Sequence, residues 1–118
     1  MFDIATKRIY LPAAAGDGCR VLVDRLWPRG LKKDAVRLDY WLRELAPSDS
    51  LRKCFGHEPA KWDEFRRRYH AELKANKAAL APLRGLLQKQ KKVTLLFSAK
   101  DEEHNNAVAL AEYLRLRH

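Results

Sequence analysis

A short, almost entirely apolar run near the C-terminal end restricts the fold more than any other feature of the sequence. Residues 93–97 read Val-Thr-Leu-Leu-Phe, so apolar side chains point to both sides of an extended segment. Such a strand suits the interior of a sheet that is covered on both faces. A second, β-branched run at residues 19–24 and a loosely alternating segment at residues 2–9 predict two earlier strands.

The middle of the chain carries two short helical patterns. Residues 39–45 predict a helix of two turns, which ends before the Ala-Pro step that follows. Ser48 or Asp49 would then cap a second helix over residues 50–55, and Gly56 would close it.

Three longer helical patterns follow. The first begins at Pro59, and residues 77–90 predict the second. The last is predicted to start with Asp101 as its cap and with Glu102 and Glu103 in its first turn. One apolar stripe at helical spacing marks the buried side of the first of these helices: Trp62, Phe65, Tyr69 and Leu73.

The order of these elements predicts an α/β fold with Rossmann-like layers, in which helices flank a small, mainly parallel sheet of three or four strands. A chain of 118 residues suffices for one domain, which we expect to span residues 1–118. The apolar runs are far shorter than the roughly 20 residues of a membrane-spanning helix, and no secretory signal is recognisable. We therefore expect a cytoplasmic protein that does not enter the membrane.

The chain is strongly basic. It has 24 Lys and Arg residues against 15 Asp and Glu residues, which gives a formal net charge of +9. Residues 84–100 contain five basic residues and no acid, and Arg66, Arg67 and Arg68 form a second basic group. Such an excess attracts phosphates, nucleic acid or acidic partners. The alternative is a solvated basic face that keeps a small protein soluble.

The cysteine content indicates neither a disulfide framework nor a zinc site. Cys19 and Cys54 are the two cysteines, and they form no CxxC pair. Cys54 is adjacent to Lys53, so it is either a thiol activated by a basic neighbour or a small packing residue. We predict no metal and no cofactor.

Dense polar sequence follows two of the predicted strands. Asp24, Arg25 and Arg29 follow the apolar part of the second strand, and another polar group follows residues 93–97. In an open α/β sheet, ligands bind beyond the carboxyl ends of the strands. If the two strands are parallel neighbours, both groups meet at one edge of the sheet. The second group consists of Ser98, Lys100, Asp101, His104, Asn105 and Asn106.

These side chains favour a small anionic ligand, either phosphorylated or carboxylated, and leave open whether it is turned over. Arginine offers a planar fork of donors to such a group, and a helix N-terminus adds unpaired N–H groups. His104 is the candidate proton donor, with Asp24 or Asp101 to orient it. The residues predicted to bind the ligand are Arg25, Arg29, Lys100 and Asn105.

Two other functions remain open from the residues. One is a nucleic-acid-binding accessory protein that uses the basic groups on phosphates, and the other is a protein-interaction domain without chemistry of its own. Each site residue also has a structural alternative, since Asp101 would serve as a helix cap and His104 as an exposed histidine. The sequence gives no oligomeric state.

Long stretches of the chain resemble a known family. They are residues 21–31, 41, 46–48, 51–52, 55–57, 62, 64–65, 68–69, 72–73, 93–96 and 99–107. On these residues the chain resembles the YeaO-like branch of domain-of-unknown-function family 488 (DUF488) over nearly its whole length. The resemblance implies a small bacterial or archaeal cytosolic α/β protein, and it carries over no established activity.

A sister branch of that family differs at the polar positions. It has Asp-Val-Arg where this chain has Asp24 and Arg25, a cysteine near the position of residues 98–100, and Cys-His-Arg near residues 104–106. This chain has no cysteine at either of the last two places. The resemblance therefore carries no thiol-based chemistry over to it.

Overall fold

The computed structural model describes residues 3–117, which form four strands and four α-helices joined by loops and short 3₁₀ turns. In chain order the elements are β1 (Asp3–Arg8), β2 (Cys19–Leu22), β3 (Tyr40–Trp41), α1 (Asp49–Phe55), α2 (Trp62–Ala75), α3 (Lys77–Lys89), β4 (Lys92–Phe97) and α4 (Asn106–Leu116). None of the helices in this described part is long and apolar enough to cross a membrane.

The four strands form one parallel sheet in the order β1-β4-β2-β3. The apolar run is the interior strand β4, whose residues from Val93 to Phe97 are all buried, as its composition predicts. Ile4 of β1 lies beside Val93, and Val21 of β2 lies beside Leu95. The predicted α/β class with a small parallel sheet flanked by helices is confirmed.

The helices build the main hydrophobic core against one face of the sheet. Val21, Val93 and Leu95 point into it from the strands. The stripe on α2 is buried as predicted: Phe65, Tyr69 and Leu73 are at most 3% exposed, and Trp62 packs at the margin of the same cluster. At about 1.5–3 kcal/mol for each large apolar side chain buried, this stripe accounts for much of the attachment of α2 to the core.

The opposite face of the sheet is covered by loops. Ile9, Leu22 and Leu96 form a small apolar cluster there, under Trp27 and Trp41. Beside this cluster lies a buried polar group. Arg20 donates through Nη1 to Asp17 Oδ2 at 2.5 Å, Lys7 Nζ lies 3.1 Å from the same oxygen, and Thr94 Oγ1 donates to the Asp17 carbonyl at 2.6 Å.

The prediction of a helix over residues 39–45 is wrong. Tyr40 and Trp41 form strand β3, and a 3₁₀ turn over Arg43–Leu45 follows. The Asp39 and Leu42 N–H groups donate to the carbonyls of residues 20 and 22, both at 2.9 Å, and the Trp41 indole donates to the Asp24 carbonyl at 2.7 Å. Pairing with β2 therefore replaces the local helical bonds that the pattern suggested.

The ends of α1 agree with the sequence, whereas the start of α4 does not. Ser48 caps α1 by accepting from the Leu51 N–H, and Gly56 ends it in the left-handed conformation. Asp101 does not cap α4, because that helix begins at Asn106 and Asn105 is its cap. Asp101 Oδ1 instead accepts from the backbone N–H groups of residues 103 and 104, in a turn that precedes the helix.

Candidate functional site

A cavity of about 280 Å³ opens beyond the carboxyl ends of β2 and β4. Residues 24–29 after β2 form one side, and residues 98–99 after β4 with Asn105 and Asn106 form another. Pro47, Phe65 and one face of α1 close the remainder. The cavity exists because β2 and β4 are parallel neighbours, which brings both polar segments to one edge of the sheet.

Asp24 holds the walls of the cavity together. Its Oδ2 accepts from the N–H and the hydroxyl of Ser98, at 2.9 and 2.7 Å, and its Oδ1 accepts from the Asn106 amide at 3.0 Å. The carboxylate therefore joins the end of β2 to the end of β4 and to the start of α4. Its oxygens are engaged within the protein and are not directed at a ligand.

Arg25 lines the cavity with most of its donors unused. Nη2 donates to the Ala46 carbonyl at 3.2 Å, and this is its one hydrogen bond within residues 3–117. Nε is buried and has no acceptor. The Tyr69 hydroxyl, on α2, donates to the carbonyl of Leu45, the residue before Ala46. This bond helps to fix the turn whose carbonyl accepts from Arg25. Burial raises the pKa of the Tyr69 hydroxyl, which keeps it a donor.

Three further basic side chains line the same cavity. Arg29 is exposed and comes from the Trp-Pro turn, whereas Arg52 and His57 come from α1 and the residue after its Gly cap. Arg52 makes a loose, exposed ion pair with Asp49 at 3.6 Å. His57 has a φ of 58°, an uncommon conformation outside glycine that turns the chain sharply after Gly56.

The sequence prediction gave no site role to Arg52 or His57. Both belong to stretches that carry the family resemblance, and the Gly after a short helix was the local signal for the turn that positions His57. Nothing in the linear spacing indicated that α1 lies over the ends of β2 and β4.

The two asparagines at the cavity are engaged in fixing α4. Asn105 is 3% exposed, accepts from the Val108 N–H at 3.0 Å and donates to the Asp101 carbonyl at 2.9 Å. The Asn106 amide donates at 3.0 Å both to the Val23 carbonyl and to Asp24. Both side chains shape the cavity, and their amide nitrogens donate to the protein.

Lys100, Asp101 and His104 do not line the cavity, although they follow the same strand. His104 Nδ1 lies 2.9 Å from Asp101 Oδ2, and the imidazole meets Trp62 edge-on with ring centroids 5.2 Å apart. Hydrogen bonds from the Glu103 backbone and from His104 lower the pKa of Asp101. Lys100 is exposed. His104 thus contacts Asp101 and Trp62 outside the cavity lining, and its role as a proton donor stays a prediction.

Aromatic and proline side chains complete the cavity wall. Phe55 and Phe65 are stacked with ring centroids 4.5 Å apart, and Trp62 packs behind both rings. Trp27 and Pro28 line the opposite side together with Leu26, which is 68% exposed at the mouth. The cavity thus combines basic groups with an apolar lining.

The other basic and thiol groups lie outside this cavity. Arg66 pairs with Asp63 and with Glu112, both at 3.2 Å, and Arg68 pairs with Glu64 at 3.2 Å, so this basic group is partly neutralised. The residues of the described range gather no three His, Cys, Asp or Glu side chains that could hold a metal ion. Nucleic-acid binding by the basic groups stays a prediction.

The two cysteines have different surroundings. Cys19 is buried in the main core, where burial raises the pKa of its thiol. Cys54 is exposed, and its Sγ lies 3.8 Å from Arg68 Nη1. Neither thiol lines the cavity.

The fold and the cavity define an α/β protein with a cation-lined cleft at the carboxyl edge of a parallel sheet. The chain belongs to the DUF488 family, and the matching family model, described as the inactive DUF488-N3 subclade, covers residues 3–117.

Curated relatives match over almost their full lengths. The uncharacterised protein YeaO of Escherichia coli K12 is 46% identical over 113 residues, which is 96% of this chain and 97% of YeaO. Uncharacterised proteins of Mycobacterium bovis (Mb3100c) and Mycobacterium tuberculosis (Rv3073c) are each 40% identical over 114 residues, which is 97% of this chain and 95% of the relative. No solved structure gives a significant match.

Proposed function

We propose that the protein binds a small phosphorylated or carboxylated ligand in this cavity. The observation that carries the proposal is the state of Arg25, whose buried Nε lacks an acceptor and whose guanidinium makes one hydrogen bond within the described chain. Buried donors in native proteins are nearly always hydrogen-bonded, so an unpaired one needs an explanation. An anion in the cavity would supply acceptors to this guanidinium, with a small adjustment of the side chain for Nε.

The charge of the lining supports the same proposal. Arg25, Arg29 and Arg52 contribute three guanidinium groups, while Asp24 is the sole carboxylate among the described lining residues and already accepts three hydrogen bonds. The exposed pair between Arg52 and Asp49 is weak in water and gives way to a better acceptor. A concave surface with an excess of one sign of charge concentrates ions of the opposite sign.

We propose binding without turnover. Asp24 and Asn105 serve as structural supports of the cavity, whereas Arg25 and Arg29 contact the ligand. The candidate proton donor His104 lies outside the cavity lining, beside Asp101 and Trp62. The description of the matching subclade as inactive supports a binding role rather than a catalytic one.

The test is an NMR titration of the ¹⁵N-labelled protein with inorganic phosphate, phenyl phosphate and benzoate. We expect shifts at residues 24–29 and at the Trp27 indole. A charge-assisted hydrogen bond contributes about 1.5–3 kcal/mol, so Arg25→Gln should weaken binding by about tenfold or more.

Arg67→Gln is the matched control, because Arg67 is exposed on α2 and does not line the cavity. It should leave the affinities unchanged. If none of the three anions perturbs residues 24–29, or if Arg25→Gln binds them as tightly as the unaltered protein, the proposed function is wrong.

A further inference from the structure

The size of the cavity sets the first limit on its ligand. Its volume of about 280 Å³ lies just below the range of about 300–1,000 Å³ that is usual for pockets of drug-sized molecules. A lone phosphate or carboxylate group fills only a minor part of this space. The ligand therefore needs a compact body beside its charged group.

The neutral polar groups of the lining set the second limit. The Ser98 hydroxyl donates to Asp24, and the Asn106 amide donates to Val23 and Asp24. Asn105 caps α4 through its amide oxygen and donates one amide N–H to the Asp101 carbonyl. Only one N–H of the Asn105 amide is left without a bond among them, and Asn105 is 3% exposed, so these groups offer a ligand hydroxyl few donors. A polyhydroxylated body would lose its hydration and receive few hydrogen bonds from these neutral groups in return, which is unfavourable.

What remains of the lining is apolar. Its members come from five separate segments: Leu26, Trp27, Pro28, Pro47, Phe55, Phe65 and Ala99. Phe55 and Phe65 are fixed by their mutual stacking and by Trp62, so this wall is preformed rather than assembled around the ligand. A body that buries apolar area against it gains affinity.

We infer that the ligand is an amphipathic small acid, with one anionic group joined to a compact apolar body of about the size of an aromatic ring. This inference rests on the proposed function, because it assigns the anionic group to Arg25 and Arg29. Sugar phosphates, polyphosphates and short dicarboxylates do not satisfy it. The body lies between the aromatic wall and the Trp-Pro turn.

The experiment compares probes of matched anionic group by calorimetry at fixed pH and ionic strength. Phenyl phosphate is compared with inorganic phosphate and glucose 6-phosphate, and benzoate is compared with acetate and gluconate. We expect the aromatic member of at least one series to bind about tenfold or more tightly than both of its partners. The series that responds identifies the anionic group as phosphate or carboxylate.

Leu26→Ser tests the contact directly, because Leu26 lines the mouth and its 68% exposure makes the change compatible with folding. It should reduce the preference for the aromatic probe severalfold and leave the affinity for inorganic phosphate or acetate unchanged. Leu116→Ser is the control, since Leu116 is 71% exposed at the end of α4, away from the cavity lining.

Two outcomes overturn the inference while the proposed function stands. One is glucose 6-phosphate or gluconate binding as tightly as the aromatic acid of its series, with Arg25→Gln still weakening that binding. The other is an aromatic preference that Leu26→Ser leaves intact. If no probe of either series binds, the proposed function fails together with the inference.

Discussion

Asp24 and Arg25 are adjacent at the end of β2, but their side chains differ in how many of their polar atoms are hydrogen-bonded. The Asp24 carboxylate receives three hydrogen bonds from residues after β4 and at the start of α4. The Arg25 guanidinium, in contrast, makes one hydrogen bond within the described chain, to the carbonyl of Ala46. The described lining is positively charged because Arg25, Arg29 and Arg52 outnumber Asp24, and the bonds of Asp24 to neutral groups leave the arginines without a carboxylate partner in the cavity.

Gly18 provides a prediction at the scale of a single residue. It has a φ of 67°, and a Cβ at this position would lie 2.5 Å from the Lys92 carbonyl oxygen. A side chain here combines backbone strain with a clash against β4, so Gly18→Ala should destabilise the protein by about 2 kcal/mol or more. Urea unfolding followed by circular dichroism measures this change.

Gly16→Ala is the matched control two residues away. Its Cβ would meet no atom within 4 Å, and its backbone is not in the left-handed region. The substitution should leave the free energy of unfolding unchanged or raise it by up to about 1 kcal/mol, because it only reduces the freedom of the unfolded chain. Equal losses of stability for the two variants would contradict the account of Gly18.

At the scale of elements, local rules predicted those segments whose partners are close in sequence. The buried stripe of α2 follows from helical periodicity. Both ends of α1 follow from capping, since the capping hydrogen bonds join residues within a few positions of each other. Residues 39–45 were wrongly predicted to be helical because their backbone N–H groups bond to the carbonyls of Arg20 and Leu22, far away in the chain. Asp101 has the chemistry of a cap, but the turn after it delays α4 until Asn106.

The two asparagine caps give a prediction for individual helices. Asn105 caps α4 from a buried position, whereas Asn76 caps α3 from the surface through a longer contact of 3.4 Å with the Ala79 N–H. Asn105→Ala should cost about 1–2 kcal/mol and Asn76→Ala clearly less. Native-state hydrogen exchange should show the first loss as faster exchange in the first turn of α4.

Such a result would show that the cap provided by Asn105 stabilises the first turn of α4. If Asp101→Ala accelerated exchange in that turn more than Asn105→Ala, the helix would instead depend on the cap that the sequence suggested.

At the scale of the whole molecule, the loop that covers the helix-free face of the sheet explains why the sequence did not predict Arg52 and His57 as part of the site. The loop from residue 24 to residue 39 crosses that face and carries Trp27 over Leu22 and Leu96, and it returns as β3. This path lets α1 lie over the strand ends, where Arg52 and His57 join Arg25 in the cavity. The predicted order of elements contained no β3, so it had no means of placing α1 there.

The same loop-covered face holds a buried ionic group, which makes the stability of the whole molecule depend on acid pH. Hydrogen bonds to Asp17, first from the Ala14 backbone and then from Lys7 and Arg20, lower its pKa from 3.8 to about 2. A carboxyl whose pKa is lower in the folded state contributes stability above pH 4, and this contribution disappears as the pH falls towards 2. The shift corresponds to a contribution on the order of 2 kcal/mol.

Asp17→Asn should therefore lower the free energy of unfolding at pH 7 and flatten its dependence on pH between 4 and 2. The loss at pH 7 should be on the order of 2 kcal/mol or more, because Arg20 is 1% exposed and would lose its charged partner. Urea unfolding at a series of pH values measures both effects, with Asp34→Asn, a change of an exposed carboxylate in a surface turn, as the control. If the free energy of unfolding of Asp17→Asn fell with pH as steeply as that of the unaltered protein, carboxyl groups other than Asp17 would govern the stability of the protein in acid.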